Sequence, residues 1–140
     1  MAGRIRLIVE KDEAVPVRVG DDVVRARQAV RALATAAGFS LVDQTKIITA
    51  ASEIARNTVD YGGGGDLRLE LLRDGGRRGV RLTFTDQGPG IADVEQALKD
   101  GYTSGGGLGL GLGGARRLVG EFAINSSPGR GTKVTLTRWK

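Results

Sequence analysis

Gly105-Gly-Gly-Leu-Gly-Leu-Gly-Leu-Gly-Gly114 decides how this chain is read, and it runs straight into Ala115-Arg-Arg-Leu-Val119. Seven of its ten residues are glycine. Glycine loses more conformational freedom on ordering than any other residue and has no side chain to pack. A chain that gathers so many in one place needs its backbone N–H groups close to a ligand. Phosphate is the commonest such ligand, because N–H groups at a helix start also lie at the positive end of the helix dipole. Leu108, Leu110 and Leu112 argue for a loop anchored in a core, since a free linker would use serine as its filler.

The glycines contain a literal G-x-G-x-x-G at Gly109, Gly111 and Gly114. A dinucleotide fingerprint must follow a strand and be trailed by an acidic residue. Here more glycine precedes it, and the chain reaches the Ser127-Pro-Gly129 turn without a suitable acid. A P-loop requires Gly-Lys, and the sequence has no such pair. The His-Arg-Asp and Asp-Phe-Gly signatures of eukaryotic-type kinases are also absent. The phosphate loop therefore belongs to another nucleotide fold.

Composition narrows the chemistry. At 140 residues, with 40% apolar and 26% charged residues, one domain spanning 1–140 is expected. No apolar run approaches the ~20 residues that span a bilayer. The N-terminus enters an alternating pattern directly, so no signal peptide and a cytoplasmic location are expected. The chain has no cysteine and no histidine. That excludes disulfides, thiolate chemistry, a Ser-His-Asp triad and the usual zinc sites. A general base here must be a carboxylate. The net charge of +5 is spread along the chain and aromatic residues are only 4%, too few for a base-stacking platform. Neither nucleic acid nor membrane is expected as a partner. The charge suits solubility and an acidic partner or nucleotide.

Alternation predicts a strand over Arg4–Glu10, a turn at Lys11-Asp-Glu13, and a second strand through Val15, Val17 and Val19. Asp21 or Asp22 is expected to cap a helix whose inward set is Val23, Ala26, Val30, Leu33, Ala34 and Ala37, with Gly38 as its C-terminal glycine. Ser40 starts a second helix, with Asp43 three residues on as a variant capping box. Ile47, Ile48, Ala51, Ile54, Ala55 and Val59 form its apolar face. Glu53, Arg56, Asn57 and Asp60 fall on the opposite face. Two strands follow, through Leu67, Leu69 and Leu71 and through Val80, Leu82 and Phe84, joined by a hairpin turn at Asp74–Gly79. Asp86 shares parity with Val80, Leu82 and Phe84, so it points inward. Gly88 and Gly90 let the backbone turn tightly beside it. Asp93–Lys99 reads as a short helix, and 91–106 as a lid. A helix after the glycines ends near Gly120. Phe122, Ile124 and Ser126 mark a strand, 127–131 a hairpin, and Thr132, Val134 and Leu136 the inward set of a last strand.

Four motifs thus stand in one order: Glu53-x-x-Arg56-Asn57 on a helix, Asp86-x-Gly88-x-Gly90 after a strand, Gly107-Leu-Gly-Leu-Gly111 before a helix, and Gly129-x-Gly131-Thr132 before a final strand. This order resembles the GHKL (Bergerat fold) ATP-binding family of DNA gyrase, Hsp90 and histidine kinases. Over nearly its full length the chain is most similar to small bacterial serine/threonine switch kinases, the RsbT type of the stressosome, related to anti-sigma-factor kinases. It departs from them at Gly113, where relatives often have proline.

The resemblance implies an α/β (α+β) two-layer sandwich, a mixed, mostly antiparallel sheet covered on one face by helices, with ATP between the layers. It implies that Glu53 is the catalytic base, Asn57 the Mg²⁺ ligand and Asp86 the acceptor of the adenine amino group. Gly88, Gly90 and Ile91 fall to the adenine side, Thr103, Ser104, Gly105, Gly106, Gly107, Leu108, Gly109, Leu110 and Gly111 to the phosphate side, and Thr132 to a hydroxyl near adenine. It further implies phosphorylation of STAS-domain scaffold and antagonist proteins and, on release, activation of a PP2C-type phosphatase. The alternative is an anti-sigma factor that sequesters a sigma factor with ATP bound.

Overall fold

Short runs of alternating apolar residues and two long amphipathic stretches produce the element order β1 (Leu7–Val17), α1 (Gly20–Ala36), α2 (Leu41–Asp60), β2 (Gly65–Asp74), β3 (Arg77–Asp86), α3 (Val94–Ala97), α4 (Gly111–Leu118), β4 (Glu121–Ser126) and β5 (Thr132–Trp139). The computed structural model describes residues 7–99 and 111–140. The five strands form one sheet in the order β1-β2-β3-β5-β4, and each pairing is antiparallel. The mostly antiparallel sheet expected from the sequence is therefore present. Its inward residues Leu67, Leu69, Leu71, Val80, Leu82, Phe84, Val134 and Leu136 join the buried residues of α1, α2 and α4 in one core. The inward set expected for α1 is buried throughout, and Gly38 ends that helix with φ +86. At such a φ a side chain is strained, so the position favours glycine.

Four local features differ from expectation. The first two strands are one strand: Lys11, Asp12 and Glu13 pair with Leu71, Glu70 and Leu69 instead of turning. The Arg68 guanidinium grips Asp12 with two bonds of 2.9 and 2.6 Å, so the charged residues gain a cross-strand partner. A bulge between Val9 and Lys11 absorbs the change of face. Leu7, Ile8 and Val9 stay exposed. At α1 the acid acts from inside the first turn. Helix α1 starts at Gly20, and Asp22 reaches back to accept from Arg18 N at 2.9 Å and Val19 N at 3.3 Å. Ser40 caps α2 as expected, accepting from Asp43 N at 3.2 Å. The Asp43 carboxylate does not complete a capping box; it pairs with Arg138 on β5 at 3.0 Å. The β2–β3 hairpin is tighter than expected, with Gly75 and Gly76 alone between the paired Asp74 and Arg77.

The face of the sheet away from the helices carries ion pairs. Arg81 binds both Glu70 oxygens, at 2.8 and 2.9 Å, and Glu70 is only 4% exposed. The Arg81 hydrogen bond holds the Glu70 carboxyl below its usual range, against the opposing effect of burial. A carboxylate with a lowered folded value stabilises the fold above its unfolded value of about 4.3, and that contribution is lost as pH falls through the folded value. Arg81→Ala leaves a buried carboxylate unpaired and should destabilise the protein by about 1–3 kcal/mol at pH 7. Denaturant melts of both proteins should show the gap narrowing as pH falls through the carboxylate range, where Glu70 protonates first in the variant that lacks Arg81; a gap independent of pH would deny the pair its role.

Candidate functional site

Strand β3 delivers Asp86 to the inner face, as its parity requires, and the residue is 8% exposed. A buried carboxylate is unfavourable unless hydrogen-bonded. Gly88 N meets that need in part, donating to Asp86 Oδ1 at 2.9 Å. The surrounding space is cleared by glycines. A Cβ at Gly62 would collide with the Asp86 carboxylate itself, and one at Gly131 with the Asp86 carbonyl. A Cβ at Gly88 would strike the Gly62 backbone, and one at Gly90, whose φ is +78, the Ser127 carbonyl. Three separate segments thus converge on one acid, each without a side chain.

Asp86 opens into a cleft of about 420 Å³, a volume ordinary for small-molecule sites. Ile54, Phe84, Ile91, Ala97, Leu112 and Val134 give it apolar walls. Asn57, Asp86, Asp93 and Thr132 are among its polar points. Thr132 is the register partner of Asp86 across β3 and β5. An apolar slot with a few fixed acceptors at its base fits a flat, partly polar ring. Of the residues expected at the site, Asn57, Asp86, Gly90, Ile91, Gly111 and Thr132 line this cleft, and Gly88 sits behind Asp86. Thr103, Ser104, Gly105, Gly106, Gly107, Leu108, Gly109 and Leu110 lie outside the described residues, as does the part of the expected lid from residue 100 onward.

Glu53 differs from its expected setting. It is 2% exposed, because α4 covers the side of α2 that the isoleucines leave free. Its Oε2 accepts from Gly111 N at 3.3 Å, the point where the glycine stretch enters α4. Arg56 and Asp60, from the same expected face, are exposed. Gly113 now has a reason: a Cβ there would collide with the Leu98 carbonyl, so glycine lets α4 pack against the end of α3. Among the described residues no group of three or more acidic or other ligating side chains could hold a metal. The half-buried Asn57 suits an ion that takes its other ligands from phosphate oxygens and water, the habit of Mg²⁺.

Residues 42–140 match the family model of histidine kinase-, DNA gyrase B- and HSP90-like ATPases. The chain belongs to this family. Within it, the chain is 45% identical over 118 residues to the serine/threonine-protein kinase RsbT of Bacillus subtilis, covering 84% of this chain and 89% of that one. It is 32% identical over 119 residues to the anti-sigma F factor of Pasteuria penetrans, covering 81% and 79%. The crystal structure of the RsbU and RsbW domains of a Mycobacterium tuberculosis protein superposes with a TM-score of 0.65 at 22% identity, over 93% of this chain and 33% of that one. That likeness concerns the fold, and this chain spans about a third of that larger one. The family, its RsbT-type branch and the serine/threonine kinase class expected from the motifs agree with these relatives. No described helix is long and apolar enough to cross a membrane.

Sequence reasoning did not single out Gly62, Ser126 or the wall formed by Asp93, Gln96 and Ala97. The run Gly62–Gly65 was a signal for the first, since four glycines after a helix exceed what a C-cap needs. Gly62→Ala should push the Asp86 carboxylate out of place and weaken ATP binding about tenfold or more, the worth of a hydrogen bond to a charged group. Gly76→Ala, where an added Cβ meets nothing within 4 Å, should leave the affinity unchanged. Calorimetric titration of the two variants checks this, and equal affinities would remove Gly62 from the site.

Proposed function

We propose that this chain, acting as one domain, is an ATP- and Mg²⁺-dependent protein serine/threonine kinase. Its proposed substrates are STAS-domain scaffold and antagonist proteins of a bacterial stress-signalling partner switch. On release it binds and activates a PP2C-type phosphatase. The observation that carries the reading is Asp86: a buried acceptor at the base of an apolar cleft, with Asn57 and the start of α4 on the same cleft. Phosphoryl transfer asks the protein for positioning, charge neutralisation and a proton acceptor, and needs no histidine. Asp86 receives the adenine amino group. Asn57 offers a hard oxygen to Mg²⁺, which when bound neutralises phosphate charge. Backbone N–H groups at the start of α4 hold phosphate. Glu53 takes the proton of the attacking serine or threonine hydroxyl. Its bond to Gly111 N ties the base to the start of α4, the same element that is to hold phosphate.

The second reading, sequestration of a sigma factor with ATP bound, draws on the anti-sigma F relatives at 27–32% identity. The 45% identity to a kinase favours the first. Labelled ATP incubated with a panel of STAS-domain proteins should move label onto a serine or threonine of one of them. Stoichiometric binding of a sigma factor without transfer would select the second reading. Glu53→Ala should hold ATP within a few-fold of the wild-type affinity while transfer falls by roughly 10²–10⁴, the usual worth of acid–base catalysis. Loss of both in a folded variant would show Glu53 to be a ligand of the nucleotide and not a base. Asp86→Asn keeps the volume and adds a donor, so ATP should bind less tightly and its preference over GTP should shrink; full retention of both would move the adenine pocket elsewhere.

A further inference from the structure

Ser126, at the end of β4, joins three groups. It accepts from Ile91 N at 2.8 Å, donates to Gly131 O at 2.9 Å, and lies 2.8 Å from Thr132 Oγ1. Two of these partners have fixed roles. An amide N–H only donates and a carbonyl only accepts, whereas a hydroxyl has one proton and two lone pairs. Gly131 is buried, and leaving its carbonyl unpaired would be unfavourable. The Ser126 proton therefore goes to Gly131 O. The short contact between the two hydroxyls is then a hydrogen bond only if Thr132 is the donor. Thr132, which lines the cleft, has spent its proton away from the ligand. Its oxygen presents lone pairs alone beside its register partner Asp86, which is also an acceptor.

We propose that Ser126 is a specificity-determining positioning residue: it fixes Thr132 as an acceptor, so that the base of the cleft admits a purine carrying an amino group and opposes one carrying a carbonyl there. Ser126 itself is not among the residues lining the cleft and acts through Thr132. The inference rests on the reading of this cleft as the purine site. Without Ser126, Thr132 recovers a free proton and can donate to a carbonyl. Ser126 also anchors Ile91, so a purely structural role would weaken every nucleotide alike.

The test is titration of wild type, Ser126→Ala, Ser126→Thr, Thr132→Val and the double variant Ser126→Ala/Thr132→Val with ATP and GTP, both with Mg²⁺. Ser126→Ala should lower the ratio of ATP to GTP affinity by roughly tenfold, about one hydrogen bond's worth, chiefly by improving GTP. Ser126→Thr, which keeps the hydroxyl, should keep the ratio. In the Thr132→Val background the Ser126 change should not move it further, because the two act as one unit. Parallel weakening of both nucleotides with the ratio intact overturns the proposal and leaves the cleft reading standing. A wild type that does not distinguish ATP from GTP overturns both. If Ser126→Ala fails to fold, Thr132→Val carries the test: it keeps the branched shape and should itself lower the ratio, and an unchanged ratio there overturns the proposal.

Discussion

A carboxylate buried at a strand end needs hydrogen bonds and, if a ligand is to reach it, empty space on the right side. Asp86 sets both demands, and much of the sequence around it answers them. Gly62 after α2, Gly88 after β3 and Gly131 before β5 have no other sequence neighbours in common. They meet around one acid: a Cβ at Gly62 or Gly131 would strike Asp86, and Gly88 N donates to it. Adding one methyl group at any of the three drives the backbone or the carboxylate out of place. Core packing elsewhere tolerates volume-conserving exchange; here the tolerance is near zero, since the colliding atoms are backbone or the acid itself.

Helix α2 carries the rest of the arrangement. One side packs Ile47, Ile48 and Ile54 into the core, and the side bearing Glu53 is closed by α4. In its second half the helix therefore has two buried faces and an exposed strip at Arg56 and Asp60. Burying Glu53 obliges it to find donors, and Gly111 N supplies one. Arg138 fixes the far end of the same layer, donating to the Leu118 carbonyl at the end of α4 and to Asp43 in the first turn of α2. Helices α2 and α4 are thus clamped to β5 by one cation.

Most of the fold was legible in the sequence because apolar period and turn chemistry agree with each other. The inward sets of α1, β2, β3 and β5 follow from spacing alone, and so does the direction of Asp86. The misreadings share a cause: they depend on partners distant in sequence. Three successive charged residues at 11–13 look like a turn until Arg68 on the neighbouring strand is known. The burial of Glu53 is not legible until α4 is placed over it. Asp43 looks like half of a capping box until Arg138 competes for it. Within the site, the acid and its flanking glycines were readable from residues 86–90. Gly62 and Ser126 were not, because their function lies in what they approach in space.

The strand order also bears on how the molecule is made. Strand β2 joins β3 through two residues and β4 joins β5 through residues 127–131, so these two hairpins can zip up locally. The joints between β1 and β2 and between β3 and β5 cannot. Strand β5 inserts between β3 and β4, and its first residue, Thr132, must find Asp86 after the chain has travelled through the whole glycine-rich segment. Closing that loop carries an entropic penalty before any contact offsets it, and pairings of high sequence separation slow folding. The floor of the cleft is accordingly built from a contact of high sequence separation. A nucleotide that bridges Asp86 and Thr132 would staple a joint that the chain by itself closes only over a long loop.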